Sequence, residues 1–550
     1  MKVLLLCAAL LLSSTAGVAT PKAVDPVLLA DIKDEIVDRL TGPRAHETPA
    51  QPHRTFRALA SMAIFYQRRD YTPLWHTADG QLTDAALSFI DHLPDVVSDG
   101  LVPDDYHVAG IKALSSSRWP SAGLIAQREL LLSDGFLLLA LHLRDGRVKQ
   151  DTFEPRLRIS GVAPNLLRLL DEAVQYERVV QTLDALRPAL EGYWLLRRAL
   201  PQYYAVEAVG GWPALDIDFS LREGDEGPAV TRLRQRLAAE PGLGVAVEES
   251  STVFDSNLAR IVKSFQSHHG LARDGVVGPA TRAVLNVPAH ARIRQIEANL
   301  ERWRWLPQDL GSRFVVVNIA NYSLTAHVDH EVVLTMKVVV GKPYRRTPVF
   351  IDEIEHLVLN PSWEVPNTIL YEDIIPGLRR DPGMLARQNF RLFGTTNGEL
   401  REVDPSTVNW SAVLAPGRPF PFRLRQLPGA TNPLGKMKFM FPNKYDVYLH
   451  DTPARELFKR RVRDFSSGCI RVENPTELAL FLLDGDARWT PETLQAAVEM
   501  EKERYVPLAQ TVPIYIQYFT VWNGRDNVMQ FREDIYGRDD ALAEALALRS

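Results

Sequence analysis

The hydrophobic pattern of this 550-residue chain changes near Arg313, and this change limits the folds that the sequence can adopt. From about residue 24 to residue 215, apolar residues recur at three- and four-residue spacing, which is typical of amphipathic helices. From Arg313 onward, β-branched runs such as Phe314 to Ile319 and Val332 to Val340 are separated by turn residues, which predicts strands. The sequence therefore predicts a multidomain α and β protein, with a helical scaffold at 24–215 and a mainly-β domain at 311–550.

Between these two parts, residues 218–288 have the pattern of a small three-helix module. An apolar ladder from Val230 to Leu237 predicts the first helix, and Asp255 is in the position of an N-cap for the second. Pro279 suits the first turn of the third helix. On the first helix we expect Arg234 to face solvent.

Two further segments are distinguished by their composition. Residues 289–310 predict a linker helix, on which Trp303 and Trp305 are expected to pack rather than to bind a ligand. Residues from about 372 to 425 are rich in Pro, Gly and Arg and have no single periodicity. They predict an insertion over the sheet, with the character of a lid.

The N-terminus has the pattern of a secretory leader. A charged start, an apolar run and small residues predict a signal peptide at 1–19 and a protein of the periplasm. A buried helix and an uncleaved anchor, which would attach the protein transiently to a membrane, are the alternatives. The formal charge of −5 gives no basic field, so we expect no nucleic-acid partner.

The chain has two cysteines, Cys7 and Cys469, and loss of the leader would leave only Cys469. A lone thiol cannot form an internal disulfide and is a liability in an oxidising compartment. Its presence is explained by catalysis or by inert burial, and the number of cysteines alone does not decide between the two.

The surroundings of Cys469 favour catalysis. A predicted strand from Tyr445 ends at His450, Pro453 is placed to open a short basic helix, and the chain then turns back to Cys469. A nucleophilic thiol needs a neighbouring base, and such a unit could return the cysteine to His450. Gly468 would allow close approach, leaving nearby backbone N–H groups free to hold an oxyanion. Two merely buried residues remain the alternative.

The motifs around these residues resemble those of the L,D-transpeptidase family, whose catalytic fold is of the YkuD type. The resemblance is carried by His450-Asp451-Thr452-Pro453, Ser466-Ser467-Gly468-Cys469-Ile470-Arg471-Val472, Asn360-Pro361-Ser362-Trp363 and Gln426-Leu427-Pro428-Gly429. Large Gram-negative members, which combine a helical scaffold, a wall-binding module and a catalytic domain with a capping insertion, are the most similar. Residues 218–288 likewise resemble the peptidoglycan-binding domain, through Gly-Asp-x-Gly-Pro, Phe-Gln and Asp-Gly-Val-Val-Gly-Pro signatures.

The resemblance implies Cys469 as nucleophile and His450 as base. It implies that Tyr448 offers its hydroxyl to the oxyanion, with Asp451 in a supporting place. Ser467 stands where the wider family has a second His, and no role follows for it. Arg471 stands where Asn is often found, and it either anchors a substrate carboxylate or forms a salt bridge.

The implied reaction is attack on the third stem residue, release of D-Ala through a thioester, and a 3-3 cross-link in peptidoglycan without cofactor or metal. Carbapenems would acylate the same sulfur. Alternatives with the same nucleophile are an L,D-carboxypeptidase and a D-amino-acid exchange enzyme. A further alternative is a degenerate, non-catalytic wall-binding protein.

Two other enzyme classes lack their motifs in this sequence. No lysine has a serine three residues before it, which excludes the Ser-x-x-Lys class of transpeptidases. There is no His-Glu-x-x-His, and His268-His269 are predicted to form a solvated helix end rather than a zinc site.

Overall fold

A computed structural model of the chain describes residues 26–42, 56–115, 120–153, 164–243, 247–396, 398–415, 419–524 and 528–548. The predicted leader at 1–19 lies outside these residues. The chain divides into two compact units. The first comprises Met1–Pro94, Pro103–Ala140 and Arg158–Asp184, and the second comprises Asp95–Val102, Leu141–Leu157 and Ala185–Ser550.

The first unit is helical, as the sequence predicts. Its central feature is the carboxylate of Glu129, which is fully buried and accepts hydrogen bonds from the Tyr66 hydroxyl at 2.7 Å and the Trp75 backbone N–H at 3.0 Å. These bonds satisfy the buried carboxylate and connect the helix that carries Glu129 to Tyr66 and Trp75. The helices up to this point are α1 (Pro26–Thr41), α2 (Leu59–Arg68), α3 (Asp84–His92), α4 (Val108–Ser115), α5 (Ala122–Asp145), α6 (Pro164–Gln175) and α7 (Val179–Leu186).

The second unit begins with helices and contains the three-helix module. The module has the predicted caps: the Asp255 carboxylate accepts from the Leu258 backbone N–H at 2.7 Å, and Pro279 occupies the first turn of its helix. The helices are α8 (Glu191–Ala208), α9 (Pro228–Ala238), α10 (Ser256–His268), α11 (Pro279–Leu285) and α12 (Ala289–Arg304).

The prediction for Arg234 is wrong, because its side chain is fully buried. The guanidinium donates to the backbone carbonyls of Glu248 and Val253 and to the Asp255 carboxylate, at 3.2, 2.8 and 2.9 Å. These bonds replace water, so a cation can lie inside the module, on the same helix face as Val230 and Leu237.

The prediction of a solvated histidine pair is also wrong. Both His268 and His269 are buried, and the His269 ring stacks between Phe265 and Phe531. Burial, together with the nearby Arg292 charge, holds the pKa of His269 well below its usual range. Within the residues that the structure describes, no group of His, Cys, Asp and Glu is arranged to hold a metal ion.

The β domain is built on one nine-stranded sheet in the order β11-β3-β12-β10-β9-β4-β13-β1-β2. Since β2 also pairs with β3, eight of these strands form a closed ring around an apolar core. The strands are β1 (Arg313–Asn318), β2 (Ser323–Val328), β3 (Glu331–Gly341), β4 (Phe350–Leu359), β5 (Trp363–Glu364), β6 (Phe390–Thr396), β7 (Glu399–Val403), β8 (Phe422–Gln426), β9 (Met437–Met440), β10 (Leu449–His450), β11 (Asp464–Ser466), β12 (Ile470–Val472), β13 (Arg504–Gln517), β14 (Val521–Asn523) and β15 (Met529–Phe531).

The insertion forms a second sheet of its own, in the order β5-β8-β6-β7. Its apolar core runs from Trp363 to Leu434, so the predicted span of about 372–425 lies inside a somewhat larger unit. Two of the motifs noted in the sequence frame it: Trp363 pairs with Gln426 across strands. The remaining helices are α13 (Asn367–Ile369), α14 (Ile375–Arg380), α15 (Met384–Arg387), α16 (Trp410–Val413), α17 (Pro475–Leu483), α18 (Pro491–Glu499) and α19 (Arg538–Ala547).

Helix α12, predicted as a linker, is buried on most of its faces and packs against α8 and α19. Two of its buried arginines are paired with carboxylates: Arg302 donates to Asp539 at 2.5 Å, and Arg304 donates to Glu301 at 2.6 Å. None of the helices in the described part of the chain combines the length and apolar character that a bilayer-spanning segment needs.

Substitution of Arg304 tests the structural importance of these buried pairs. Arg304 also donates to the Asp99 carbonyl, so Arg304→Met would leave the Glu301 carboxylate without its cation. We expect a loss of about 3–5 kcal/mol in the free energy of unfolding, measured by urea denaturation. Arg294→Met, at an exposed position on the same helix, should change it by less than about 0.5 kcal/mol. Equal stability of the two variants would contradict the expectation.

Candidate active site

The central strands of the large sheet place three polar residues in one row. Two of them were predicted from the sequence, and one was not. Parallel pairing of β10 with β12 sets His450 beside Arg471, and antiparallel pairing of β10 with β9 sets Lys438 on its other side. Paired residues point to the same face of a sheet, and their chain neighbours point to the opposite face. The neighbours Phe439, Leu449 and Ile470 are fully buried in the core, so the row of polar side chains lies on the outer face.

A second row, two residues back along the same strands, holds Tyr448 and Cys469. The Ile470 backbone N–H donates to the Tyr448 carbonyl at 3.1 Å, which fixes the two residues side by side. The Tyr448 side chain hydrogen-bonds the thiol, and the Cys469 sulfur lies 3.8 Å from the Asp446 carbonyl. Cys469 is half-buried, so the predicted nucleophile is accessible.

The local structure leading to this arrangement differs from the sequence prediction. The strand expected from Tyr445 is only Leu449–His450, because the Asn443 side chain accepts from the Tyr445 N–H and donates to the Val447 carbonyl, forming a turn. The helix expected at Pro453 is a short 3-10 turn, Arg455–Lys459.

His450 is held as a neutral base. Its Nδ1 lies 2.5 Å from the Asp451 carbonyl, which can only accept, so Nδ1 carries the proton, and the Pro433 carbonyl also accepts a hydrogen bond from the ring. Burial, then the Arg471 charge, lowers the pKa of His450 to about 3. Among the described residues the thiol bonds to Tyr448 and Asp446, and the His450 ring lies beside Tyr448, with 5.7 Å between ring centroids.

The thiol is also held in its neutral form. Burial raises the pKa of Cys469, while the Tyr448 hydrogen bonds and the charges of Lys438 and Arg471 act in the opposite direction. Burial lowers the pKa of Lys438, whose Nζ lies 3.8 Å from the centre of the Tyr448 ring. The two cations are therefore placed to stabilise a thiolate once it forms.

Sequence reasoning missed Lys438. The available signal was alternation: Met437 and Phe439 are core residues of β9, so the lysine between them must lie on the other face of the sheet. The cross-strand pairing that sets it opposite His450 is a tertiary feature and left no sequence signal.

The expectation that the amides around Cys469 are free is wrong for Gly468. Its N–H donates to the Ser466 hydroxyl at 3.1 Å, and its carbonyl accepts from the Thr347 hydroxyl at 2.8 Å. Its φ of +117° is the left-handed conformation that glycine adopts without strain. Within the described residues the amide of Cys469 makes no hydrogen bond, so this N–H and the Tyr448 hydroxyl are the available oxyanion donors.

Asp451 holds the His450 ring in place. Its carboxylate accepts from the Lys436 N–H at 2.8 Å and from Arg455 at 3.2 Å, and its carbonyl accepts from His450. Gly435 makes this possible, because a Cβ there would lie 2.3 Å from the Asp451 carboxylate.

Ser467, which had no assigned role, accepts a hydrogen bond from Arg345 at 2.7 Å. Arg345 also pairs with Asp373 at 2.9 Å and with Glu372, both at the start of the insertion. We name these four residues the Arg345 latch. It joins the loop before Cys469 to the insertion.

Arg471 makes no ion pair with a carboxylate among the residues that the structure describes, and its Nε has no hydrogen-bond partner there. Of the two roles expected for it, the salt bridge is therefore not found. Its guanidinium remains available for an anionic group brought in by a substrate.

Three parts of the chain match family models. Residues 60–200 match a "Scaffold domain", residues 226–285 match a "Putative peptidoglycan binding domain", and residues 312–495 match an "L,D-transpeptidase catalytic domain". The site described above lies within the last of these.

Among curated proteins, the chain is 34% identical over 246 residues to a "Putative L,D-transpeptidase" of Haemophilus influenzae, covering 45% of this chain and 48% of that protein. A "Zinc D-Ala-D-Ala carboxypeptidase" of Streptomyces albus G is 42% identical over 62 residues, or 11% of this chain and 24% of that protein. The chain thus spans about half the length, or less, of these curated relatives.

A solved structure of an L,D-transpeptidase from Mycobacterium smegmatis is 15% identical and covers 38% of this chain and 58% of that chain, with a TM-score of 0.18. A TM-score this low supports no comparison of the folds, and the family assignment rests on the sequence models. Residues 312–495 thus resemble L,D-transpeptidase catalytic domains, and segments that match a scaffold domain and a putative peptidoglycan-binding domain precede them in the same chain.

Proposed function

We propose that this protein is a periplasmic L,D-transpeptidase that forms 3-3 cross-links in peptidoglycan through a thioester on Cys469. The observation that carries the proposal is the half-buried thiol bonded to Tyr448, flanked by Lys438 and Arg471, on the face that also bears the neutral His450. The matches of neighbouring residues to peptidoglycan-binding and transpeptidase domains support the substrate and the compartment.

In the first half-reaction, the thiol proton passes to Nε2 of His450 as the sulfur attacks the carbonyl carbon of the third stem residue. The Cys469 N–H and the Tyr448 hydroxyl hold the resulting oxyanion. Collapse breaks the C–N bond, and D-Ala leaves with the proton returned by the imidazolium. The product is a thioester between the stem peptide and Cys469.

In the second half-reaction, the side-chain amine of a stem on a neighbouring strand attacks the thioester. His450 takes the amine proton and returns it to the sulfur as the C–S bond breaks, so an amide forms and the thiol is restored. The insertion serves as the lid that excludes water meanwhile: Tyr448 packs against its apolar core, directly beside the thiol.

Products distinguish this function from its alternatives. Purified protein incubated with tetrapeptide-rich sacculi should release D-Ala and give dimers joined between third residues, measured by muropeptide analysis with mass spectrometry. Cys469→Ala should reduce both products to background, because no thioester can form. Tripeptide monomers alone would identify a carboxypeptidase, and unchanged muropeptides with the wild-type protein would contradict the enzyme assignment.

The lowered pKa of His450 predicts the pH dependence of acylation. Because the pKa is lowered to about 3, the imidazole stays an unprotonated base throughout pH 5 to 7.5, and acid removes it only near that value. We expect the rate of carbapenem adduct formation on Cys469, followed by mass spectrometry, to change less than about threefold over this range.

The variant Arg471→Gln tests the cause of the lowered pKa of His450. Removal of the Arg471 charge, the second cause of the lowered pKa, should move the acid limb of the profile to higher pH. An acid limb with a midpoint between pH 5 and 7 in the wild-type protein would show a base with an ordinary pKa, contrary to the prediction. Absence of any adduct would overturn Cys469 as nucleophile.

The Arg345 latch predicts a positioning effect. Arg345→Gln should free Ser467 and the neighbouring Cys469 from the insertion, and we expect kcat for cross-linking to fall about tenfold with KM changed less. Arg401→Gln, at an exposed position in the same insertion, is the matched control. Equal kcat values for the two variants would show that the latch does not position the nucleophile.

A further inference from the structure

A groove of about 530 Å³ lies between the three-helix module and the β domain, and Cys469 is not among its lining residues. Residues of α11 and of the turn after α10 form one wall. The other is formed by Ala320–Tyr322, Arg461–Arg463, Phe531–Glu533 and Ile535. We call it the module groove. Its volume is within the usual range for a ligand site, which is about 300–1,000 Å³.

The module groove is strongly cationic. Of the charged side chains that line it, one is an acid, Glu533. The other charged residues are arginines: Arg273 from the module, Arg292 from α12, and Arg461, Arg463 and Arg532 from the β domain. This excess of positive charge is local, since the chain as a whole carries a formal charge of −5.

The arginines are held by neutral groups. Arg532 donates to the His268 carbonyl at 3.0 Å and to the Asn321 side chain at 2.8 Å, and Arg463 donates to the Tyr322 carbonyl at 2.9 Å. Arg461 donates to the Gly270 carbonyl at 3.5 Å. Carbonyl partners fix the direction of a guanidinium but leave its charge uncompensated.

Within the described residues, no carboxylate lies within 4.0 Å of a guanidinium nitrogen of the five arginines. The charges of Glu240 and Glu473 act on Arg292 and Arg463 only from farther away. Burial lowers the pKa of Arg532 to about 10, which still leaves it protonated at pH 7. Arg292 is only 6% exposed, and its Nε has no hydrogen-bond partner.

We propose that the module groove binds the free carboxylates of a peptidoglycan stem peptide, so that the three-helix module and the β domain hold one strand jointly. This inference rests on the proposed function. Carboxylates fit because guanidinium groups pair with them in a bidentate manner. Apolar residues such as Val284 and Ile535 also line the groove, where they could contact the alkyl parts of a peptide.

The position of the groove relates it to the reaction. Arg461 lies in the segment that joins His450 to Cys469, so a strand bound in the groove contacts the same loop that carries the reacting sulfur. A stem held there is kept at high local concentration near the catalytic face.

The test compares two pairs of exposed arginines. The double variant Arg273→Gln/Arg461→Gln removes the charges at the rim of the groove without touching its buried floor. The matched control Arg260→Gln/Arg460→Gln removes the same number of exposed charges from the same two parts of the chain, at positions outside the groove. Binding to purified sacculi is measured by pelleting, with native sacculi and with sacculi whose carboxyl groups have been amidated.

We expect the rim variant to bind native sacculi about five- to tenfold more weakly than the wild type, and the control variant to bind like the wild type. Amidation should weaken wild-type binding by a similar factor and abolish the difference between wild type and rim variant. Equal binding by rim and control variants, or a difference that survives amidation, would overturn the proposal.

Carbapenem acylation of the wild-type protein is measured in parallel, because it reports on the proposed function separately. An adduct on Cys469 together with equal binding by both variants would overturn the groove alone. Absence of the adduct would overturn the proposed chemistry, whatever the binding result.

Discussion

The active-site arrangement depends on a parallel pairing of strands that is only two residues long. Leu449 and His450 pair with Ile470 and Arg471, and each strand is also paired on its other side, with β9 and β3. Leu449 and Ile470 are fully buried, so the core fixes which face each neighbouring side chain takes. A slip by one residue would turn the thiol and the imidazole into the core and bring leucine and isoleucine to the surface. The cost of that exchange makes the register unique.

The same face illustrates how burial determines protonation. Burial raises the pKa of Cys469 and lowers the pKa of His450, so both groups are uncharged at rest, although two cations adjoin the sulfur. Lys438 and Arg471 do not produce a resting thiolate, because desolvation is the larger effect. Their stabilisation is realised when charge develops on the sulfur or on a substrate, which is the condition for lowering a barrier. The arginines of the module groove are likewise oriented by carbonyl groups, which do not neutralise their charge. That charge would be neutralised only when an anionic ligand binds.

Much of this organisation could be predicted from the sequence. The change from helical to strand periodicity and the Asp255 cap were visible because each depends on local pattern. The motifs singled out Cys469 and His450, which remain a predicted pair: the thiol bonds to Tyr448 and Asp446, and no hydrogen bond joins it to His450 among the described residues. The features that were missed depend on distant contacts. Lys438 lies opposite His450 because β9 pairs with β10. Arg345 is held by its ion pair with the insertion. Arg234 and the pair His268 and His269 were expected in solvent because they are polar, although their spacing places them on the apolar faces of α9 and α10. The carbonyls and aromatic rings that cover them come from elsewhere in the chain.

The insertion contacts the surroundings of the Cys469 sulfur on two sides, and the two contacts differ in kind. On one side, Tyr448 bonds the thiol while its ring packs into the insertion core, and the Trp363 side chain hydrogen-bonds it. On the other side, Arg345 joins Ser467 to Glu372 and Asp373 by charge. Movement of the insertion would therefore displace Tyr448 and the loop before Cys469 together. Under the proposed function, the position of the insertion and the alignment of the sulfur would thus change together.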